Sequence, residues 1–482
     1  MGPSNGEDWT GESTQSTTTD AEQDTADIET TAGIEQPEPQ RSPRKLLLGL
    51  VAGGLIALTC VGVVIALAIG RVGKTVAPVF QNASIFAGEP ALNQIAFVGN
   101  DDNIWLASPD GEQLRQLTSN GQGYNFPTWA PDGRRVAFIG PDAEGNTALY
   151  VSSATDIDPS IFFASPNSAP FYLYWAPDSH SLTFLTQETS GLSMRLVDTS
   201  TPGDKRVLAT GAPFYWVWSP NSDRMLMHVG GARAISSDAH LSVLANREDA
   251  QRIELDLAPG RFQAPLWSAN GQHIFYIASN SAGQDFIYQT DPDTLEQISI
   301  ADVADVTYMA VSPDDRYLAY LEVMQGSAPP LGAAYLISLE DGGGDRKQIM
   351  DDLVMSMYWS PDGSKLAVLA PGFDDDGSVA RAGGLMAPLP QELVFRWWIY
   401  DVEAGTLEPL ISFNPTRDFL QTVPFFDQYH LSLTFWSPDS RYFVVAKADD
   451  DSREGTIWVV DTTGQEADRQ IGEGTLAVWS WR

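Results

Sequence analysis

A five-residue motif recurs along most of this 482-residue chain, and it limits the fold more than any other feature. It reads Trp, Ser or Ala, Pro or Ala, Asp or Asn, then a small or polar residue. Copies start at Trp129, Trp175, Trp218, Trp267, Trp359 and Trp436, and a Trp-less copy, VSPDD, starts at Val311. Successive starts lie 46, 43, 49, 44, 48 and 77 residues apart. A fixed period in this range signals a solenoid, a propeller or an array rather than two or three unrelated domains.

Each motif is followed by short β-branched and aromatic runs, split by Pro, Asp, Gly and Ser. Val136-Ala137-Phe138-Ile139 and Ile274-Phe275-Tyr276-Ile277 follow the motif directly. A third run, such as Ala148-Leu149-Tyr150-Val151, comes next, and then a fourth with charges on alternate positions, as in Lys205-Arg206-Val207-Leu208. This is a strand-and-turn pattern. Four antiparallel strands per repeat of this length describe a propeller blade. The motif has a mechanical logic. Trp ends the innermost strand and fills the space between blades, burying on the order of 200 Å². Pro removes an N–H where the ladder stops, and Asp or Asn bonds back to the turn amides. Gly, where present, accepts a positive φ.

The two ends of the repeat region complement one another. Residues 94–118 match strands two to four of a blade, and TLAVWSWR at the C-terminal end matches the missing first strand. Pairing residues near Trp479 with residues near Ile95 would close a ring and remove exposed sheet edges. The expected fold class is therefore all-β: a β-propeller of eight four-stranded blades over residues 92–482. Seven follows if one copy is not a full blade.

These repeats resemble those of the TolB-like family, also described as WD-like or Pro-Asp repeats. Gly133 through Val151 and Gln94 through Thr118 carry the resemblance best, and it covers about 80% of the chain. The family includes periplasmic partner-binding proteins and the propellers of prolyl-peptidase enzymes, so the resemblance implies fold more sharply than function. The separate α/β domain that precedes the TolB propeller is missing here.

The N-terminal region reads differently. Residues 1–45 are acidic and rich in Thr, Ser and Gln, the composition of a segment that does not bury enough apolar surface to order itself. Leu46 to Ile69 form a run of 24 uncharged residues, long enough for a transmembrane helix over 46–70, with a linker at 71–91. Arg41, Arg44 and Lys45 on one side against Arg71 and Lys74 on the other favour a cytoplasmic N-terminus and an extracytoplasmic propeller. Gly49 and Gly53 form a small-xxx-small pair suited to weak helix dimerisation.

Chemistry-bearing motifs are scarce. There is no G-x-S-x-G elbow, no H-E-x-x-H and no C-x-x-C, and the one cysteine, Cys60, lies in the apolar run. His180 and His273 follow the blade turn where other copies carry Arg135 or Lys365, which reads as a turn position; His228, His240 and His430 show no metal-ligand spacing. The acidic clusters at Asp101-Asp102, Asp374-Asp375-Asp376 and Asp449-Asp450-Asp451 lack the alternate-position ligands of a calcium loop. No catalytic residue, metal or cofactor is expected. A formal net charge of −35 argues against nucleic acid as a partner.

The informative irregularity is the 77-residue interval, with insertions at about 371–392 and 414–430. The second packs Phe419, Phe425, Phe426 and Tyr429 into a loop, and exposed aromatics on a rigid scaffold are candidate binding residues. The alternative is that these rings cover the channel mouth. The expected function is a non-enzymatic, membrane-tethered module that binds a protein, peptide or envelope polymer. The rival is a channel-sited hydrolase or ligand sensor.

Overall fold

The computed structural model describes residues 93–482 apart from short segments, the longest being 231–238 and 374–392. Its strands are consecutive antiparallel hairpins arranged as blades, each named here by its motif residue. The Trp129 blade is typical, with strands Asn125–Trp129, Arg135–Pro141, Thr147–Ser153 and Ser160–Ala164 in that spatial order. Middle strands lie between neighbouring blades and are buried on both faces; Ile95–Gly99 is buried at all five positions. That is why they read as unbroken apolar runs. Outer strands alternate, as in Lys205–Gly211, because one face meets water.

The expectation of eight separate blades is corrected. The described strands form seven sheets, six of four strands and one of six. The reason is the strand Arg469–Trp479. Its first half pairs with Gly455–Asp461 as an outer strand, and its second half pairs with Ile95–Gly99 as an inner strand. No break separates the two roles, so the last repeat and the closing repeat share one sheet. The architecture is a seven-bladed propeller.

The two ends of the repeat region pair within that sheet. Ile95 lies opposite Trp479, Ala96 opposite Val478 and Phe97 opposite Ala477. Ser480 N–H donates to Gln94 O at 2.8 Å, and Gln94 N–H donates to Ser480 Oγ at 2.9 Å. The register shifts at Val98/Gly99, where Gly474 is required: a Cβ there would sit 2.2 Å from Val98 O.

Tryptophan joins blade to blade. The indole N–H of Trp175 donates to Thr128 O, that of Trp129 to Val478 O, that of Trp359 to Ala310 O and that of Trp436 to Tyr358 O, at 3.0–3.2 Å. Each acceptor is the residue just before the motif start of the preceding repeat. Trp218 and Trp267 depart from this, donating to Thr183 Oγ1 and Gly271 O.

The fifth motif position does a second job. It has φ near +60° whatever the residue: Ser179 +62°, Ser222 +62°, Asp315 +60° and Ser440 +60°, beside Gly133 +69° and Gly363 +71°. Where Ser or Asp stands, its side chain accepts from the neighbouring turn. Ser179 Oγ accepts from Asp132 N–H at 2.9 Å, Ser222 Oγ from Asp178 N–H at 2.9 Å and Ser440 Oγ from Asp362 N–H at 3.1 Å. Asp315 accepts from both Ala269 and Asn270 N–H, at 2.6 and 2.7 Å. The bond offsets the cost of left-handed backbone on a residue with a Cβ.

Among the described residues no helix is long and apolar enough to cross a membrane. The expected tail 1–45, span 46–70, linker 71–91 and the Gly49/Gly53 pair lie outside the described residues. The placement as a single-pass membrane protein with an extracytoplasmic propeller is corrected accordingly, because no described element anchors the chain.

Candidate functional site

The insertion at 414–430 folds into two short helices. Pro415 leads into Thr416, whose Oγ1 accepts from Phe419 N–H at 3.3 Å and caps α1, Arg417–Thr422. Pro424 sets the following 3₁₀ turn, Val423–Phe425, and α2 is Phe426–Tyr429. The base is fixed to the closing sheet: Thr416 Oγ1 donates to Thr475 O, and Thr475 Oγ1 donates to Asp418.

From there the segment touches one inner strand after another. The Phe426 ring lies 5.5 Å from Tyr308 and 6.5 Å from Tyr358. Tyr429 lies 6.3 Å from Phe126 and 5.0 Å from Tyr172. Gln428 Nε2 donates to Tyr172 Oη at 2.7 Å and to Trp216 O at 3.1 Å, and its Oε1 accepts from Trp216 N–H at 3.2 Å. Tyr172 O–H donates back to Gln428 O at 2.9 Å. Asp427 Oδ2 accepts from Ala264 N–H at 3.0 Å, and Thr128 O–H donates to Ser432 O at 2.8 Å. One segment reaches this many inner strands only from the axis of the ring. It is an axial plug.

Two receiving residues are strained to meet it. Phe126 and Tyr172 have φ of +51° and +47°, rare for aromatic residues. Each sits at a register shift in its inner strand, between Asn125 and Thr128 and between Phe171 and Leu173. A bulge re-aims a side chain at a local cost in strain. Here both meet the Tyr429 ring.

The plug places the four expected binding aromatics differently from one another. Phe426 is fully buried and Phe419 is 5% exposed, packed on Trp397, Phe413 and Phe435 at 5.9–6.2 Å. Tyr429 is half-buried against the inner strands. Phe425, 49% exposed, alone of the four stands in water. The expectation of an exposed aromatic loop is corrected for Phe419 and Phe426: Phe426 is buried against inner-strand tyrosines at the axis, and Phe419 against Trp397 and Phe413 on the outer strands of the Trp359 blade. Residues 374–392 of the other insertion lie outside the described residues.

Electrostatics at the plug are unusual. Burial raises the Asp427 carboxyl to about 7, even though it accepts a backbone bond; its Oδ1 has no partner among the described residues. Tyr215 and Tyr308 are pushed up, first by burial and then by the Asp427 charge. Burial lowers His430 to about 4. Its Nδ1 lies 3.0 Å from Phe426 O. A carbonyl only accepts, so Nδ1 carries the proton and Nε2 is left as an acceptor.

Below the plug lies a cavity of about 250 Å³. Its inner end meets His430, Leu431 and Leu433, and its walls carry the motif residues Trp267, Val311, Trp359 and Trp436. It reaches the surface at Pro313, Pro361 and Trp481, which are exposed. Among the described residues no Asp, Glu, Lys or Arg lines it. The remaining histidines are elsewhere: His180 is exposed at its turn, His273 half-buried, and His228 fully buried with Nδ1 3.0 Å from Gln263 O. Among the described residues no group of three or more His, Cys, Asp or Glu could hold a metal ion.

Sequence reasoning passed over Asp427, Gln428, Phe126 and Tyr172. A signal for the first two was present: FFDQYH sets two polar residues inside an aromatic run. The two bulges had none, since bulged and regular inner strands share one composition.

No protein-family model matches the chain. Over 85 residues it is 27% identical to the Tol-Pal system protein TolB of Alcanivorax borkumensis, covering 17% of this chain. The chain spans 19% of the length of that curated relative. Among solved structures, TolB from Acinetobacter baumannii is 17% identical over 53% of this chain and 62% of its own, with a TM-score of 0.33. The dihydro-heme d1 dehydrogenase NirN is 11% identical over 81% of this chain and 76% of its own, with a TM-score of 0.50. At that identity the likeness concerns fold alone.

Proposed function

We propose that the chain is a non-enzymatic interaction module that binds a protein or peptide partner on the face formed by its motif turns. The observation that carries this reading is the asymmetry of the axis. The plug fills one end of the channel, while the other end keeps an apolar cavity with an exposed aromatic, Trp481, at its mouth. Large exposed rings beside a preformed apolar pocket are favoured anchors for binding. The lining offers no paired acid and base, and its one imidazole is held neutral with a nitrogen committed to the plug backbone. That supports binding over catalysis. TolB proteins, to which the repeats are similar, lend the general idea of a propeller in a protein system.

A photo-crosslinking residue placed at Trp481 and, separately, at Phe425 tests the choice of face. Discrete adducts in cells are expected from position 481 and none from position 425. Adducts from 425 alone would reverse the assignment.

A further inference from the structure

We infer that the axial cavity is a small-molecule site for an uncharged aromatic compound carrying a ring N–H or O–H, of the indole or phenol class. The inference does not depend on the protein partner proposed above.

Size comes first. About 250 Å³ lies just under the roughly 300–1,000 Å³ of pockets that take drug-sized ligands. The guest is therefore of one- or two-ring size, too small to be a nucleotide or an oligosaccharide. Shape and surface come next. Trp267, Tyr358, Trp359, Phe435, Trp436 and Trp481 all contribute to the wall. Such walls favour a flat apolar guest that meets them edge to face or offset.

Charge then narrows the class. The lining carries neither acid nor base that would be ionised at neutral pH, since burial holds His430 neutral. A carboxylate, phosphate or ammonium would lose its hydration there without gaining an opposite charge. Polarity selects within what is left. Thr434 Oγ1 is used in a bond to Trp479 O. Ser480 Oγ donates to Arg482 O and accepts from Gln94 N–H. Two indoles of the wall are also committed, that of Trp359 to Ala310 O and that of Trp436 to Tyr358 O. His430 differs. Its Nδ1–H is spent on the plug backbone at Phe426 O and Asp427 O, which leaves Nε2 as an acceptor; the Tyr358 hydroxyl also lacks a partner among the described residues, but it is buried. The cavity thus presents an imidazole acceptor within an aromatic enclosure, and the complementary guest brings one donor. The acceptor is held in place because His430 follows α2, whose residues Asp427 and Gln428 bond to Ala264 and Trp216.

Titration calorimetry with the full-length protein tests this, using indole, 1-methylindole and tetramethylammonium as probes. Indole should bind saturably at one site, and 1-methylindole, which lacks only the N–H, about 10-fold or more weakly. His430→Leu should bring indole down to the level of 1-methylindole, with the far-UV spectrum unchanged. Trp481→Ala, at the exposed mouth, should weaken both indoles together and provides a second variant if His430→Leu does not fold. Equal binding of the two indoles, preferential binding of tetramethylammonium, or no saturable binding of indole would each overturn the assignment.

Discussion

Asp427 shows how much one buried carboxyl shapes the plug. It faces the phenols of Tyr215 and Tyr308 from the inner strands and the Ala264 amide from the loop. Its proton affinity is raised from 3.8 to about 7 by burial. A carboxyl raised on folding binds its proton more tightly in the folded state. Its contribution is present in full below about pH 4 and is lost as pH rises to about 7, at a slope of at most about 1.4 kcal/mol per pH unit. His228 and His430, both lowered by burial to about 4, act oppositely, so that stability rises with pH between about 4 and 6.5. Wild-type pH curves therefore mix the two effects, and a difference curve separates them. Asp427→Asn should gain stability relative to wild type steadily from pH 4 to 7 and hold a constant difference above that. Urea unfolding at each pH checks this; a difference that does not vary across the window would remove Asp427 from the account.

At the scale of the element, the motif is both turn and crosslink. At Ser179 the backbone demands positive φ while the hydroxyl takes the Asp132 N–H from the next turn. Ser179→Ala keeps the strained φ and loses the bond, which should cost about 1 kcal/mol. Ser179→Gly loses the same bond but relaxes the backbone, so it should lie near wild type. Thermal melts of the two variants order them; alanine matching or exceeding glycine would contradict the reading. The motif was legible in the sequence because its Trp, Pro and Asp each have a separate mechanical reason to recur. Strand runs were legible because middle strands are buried on both faces. The sheet count was not. Eight starts and ends can be read from the period, but whether an outer strand breaks before the next inner strand depends on local geometry. Met355 separates Lys347–Val354 from Ser356–Trp359, whereas Arg469–Trp479 runs on unbroken. The candidate site was legible in part. Its position at the 77-residue interval and its aromatic content were visible, but not the burial of Phe419 and Phe426, because a loop's composition does not say which surface it covers.

Over the whole molecule, two devices hold the ring. Pairing of Ile95–Gly99 with Arg469–Trp479 joins the ends of the chain's repeats, and the plug cross-ties inner strands that share no ladder. The first removes sheet edges. The second closes one end of the channel. The most direct test of this arrangement is native-state hydrogen exchange at two amides. Trp216 N–H and Ala264 N–H point at the axis and bond to side chains of the plug, Gln428 and Asp427. The account predicts that both exchange as slowly as the ladder amides of the inner strands, since the plug opens only with the ring. Fast exchange at these two positions, with the neighbouring ladder still protected, would show that the plug leaves the axis on its own and would contradict it.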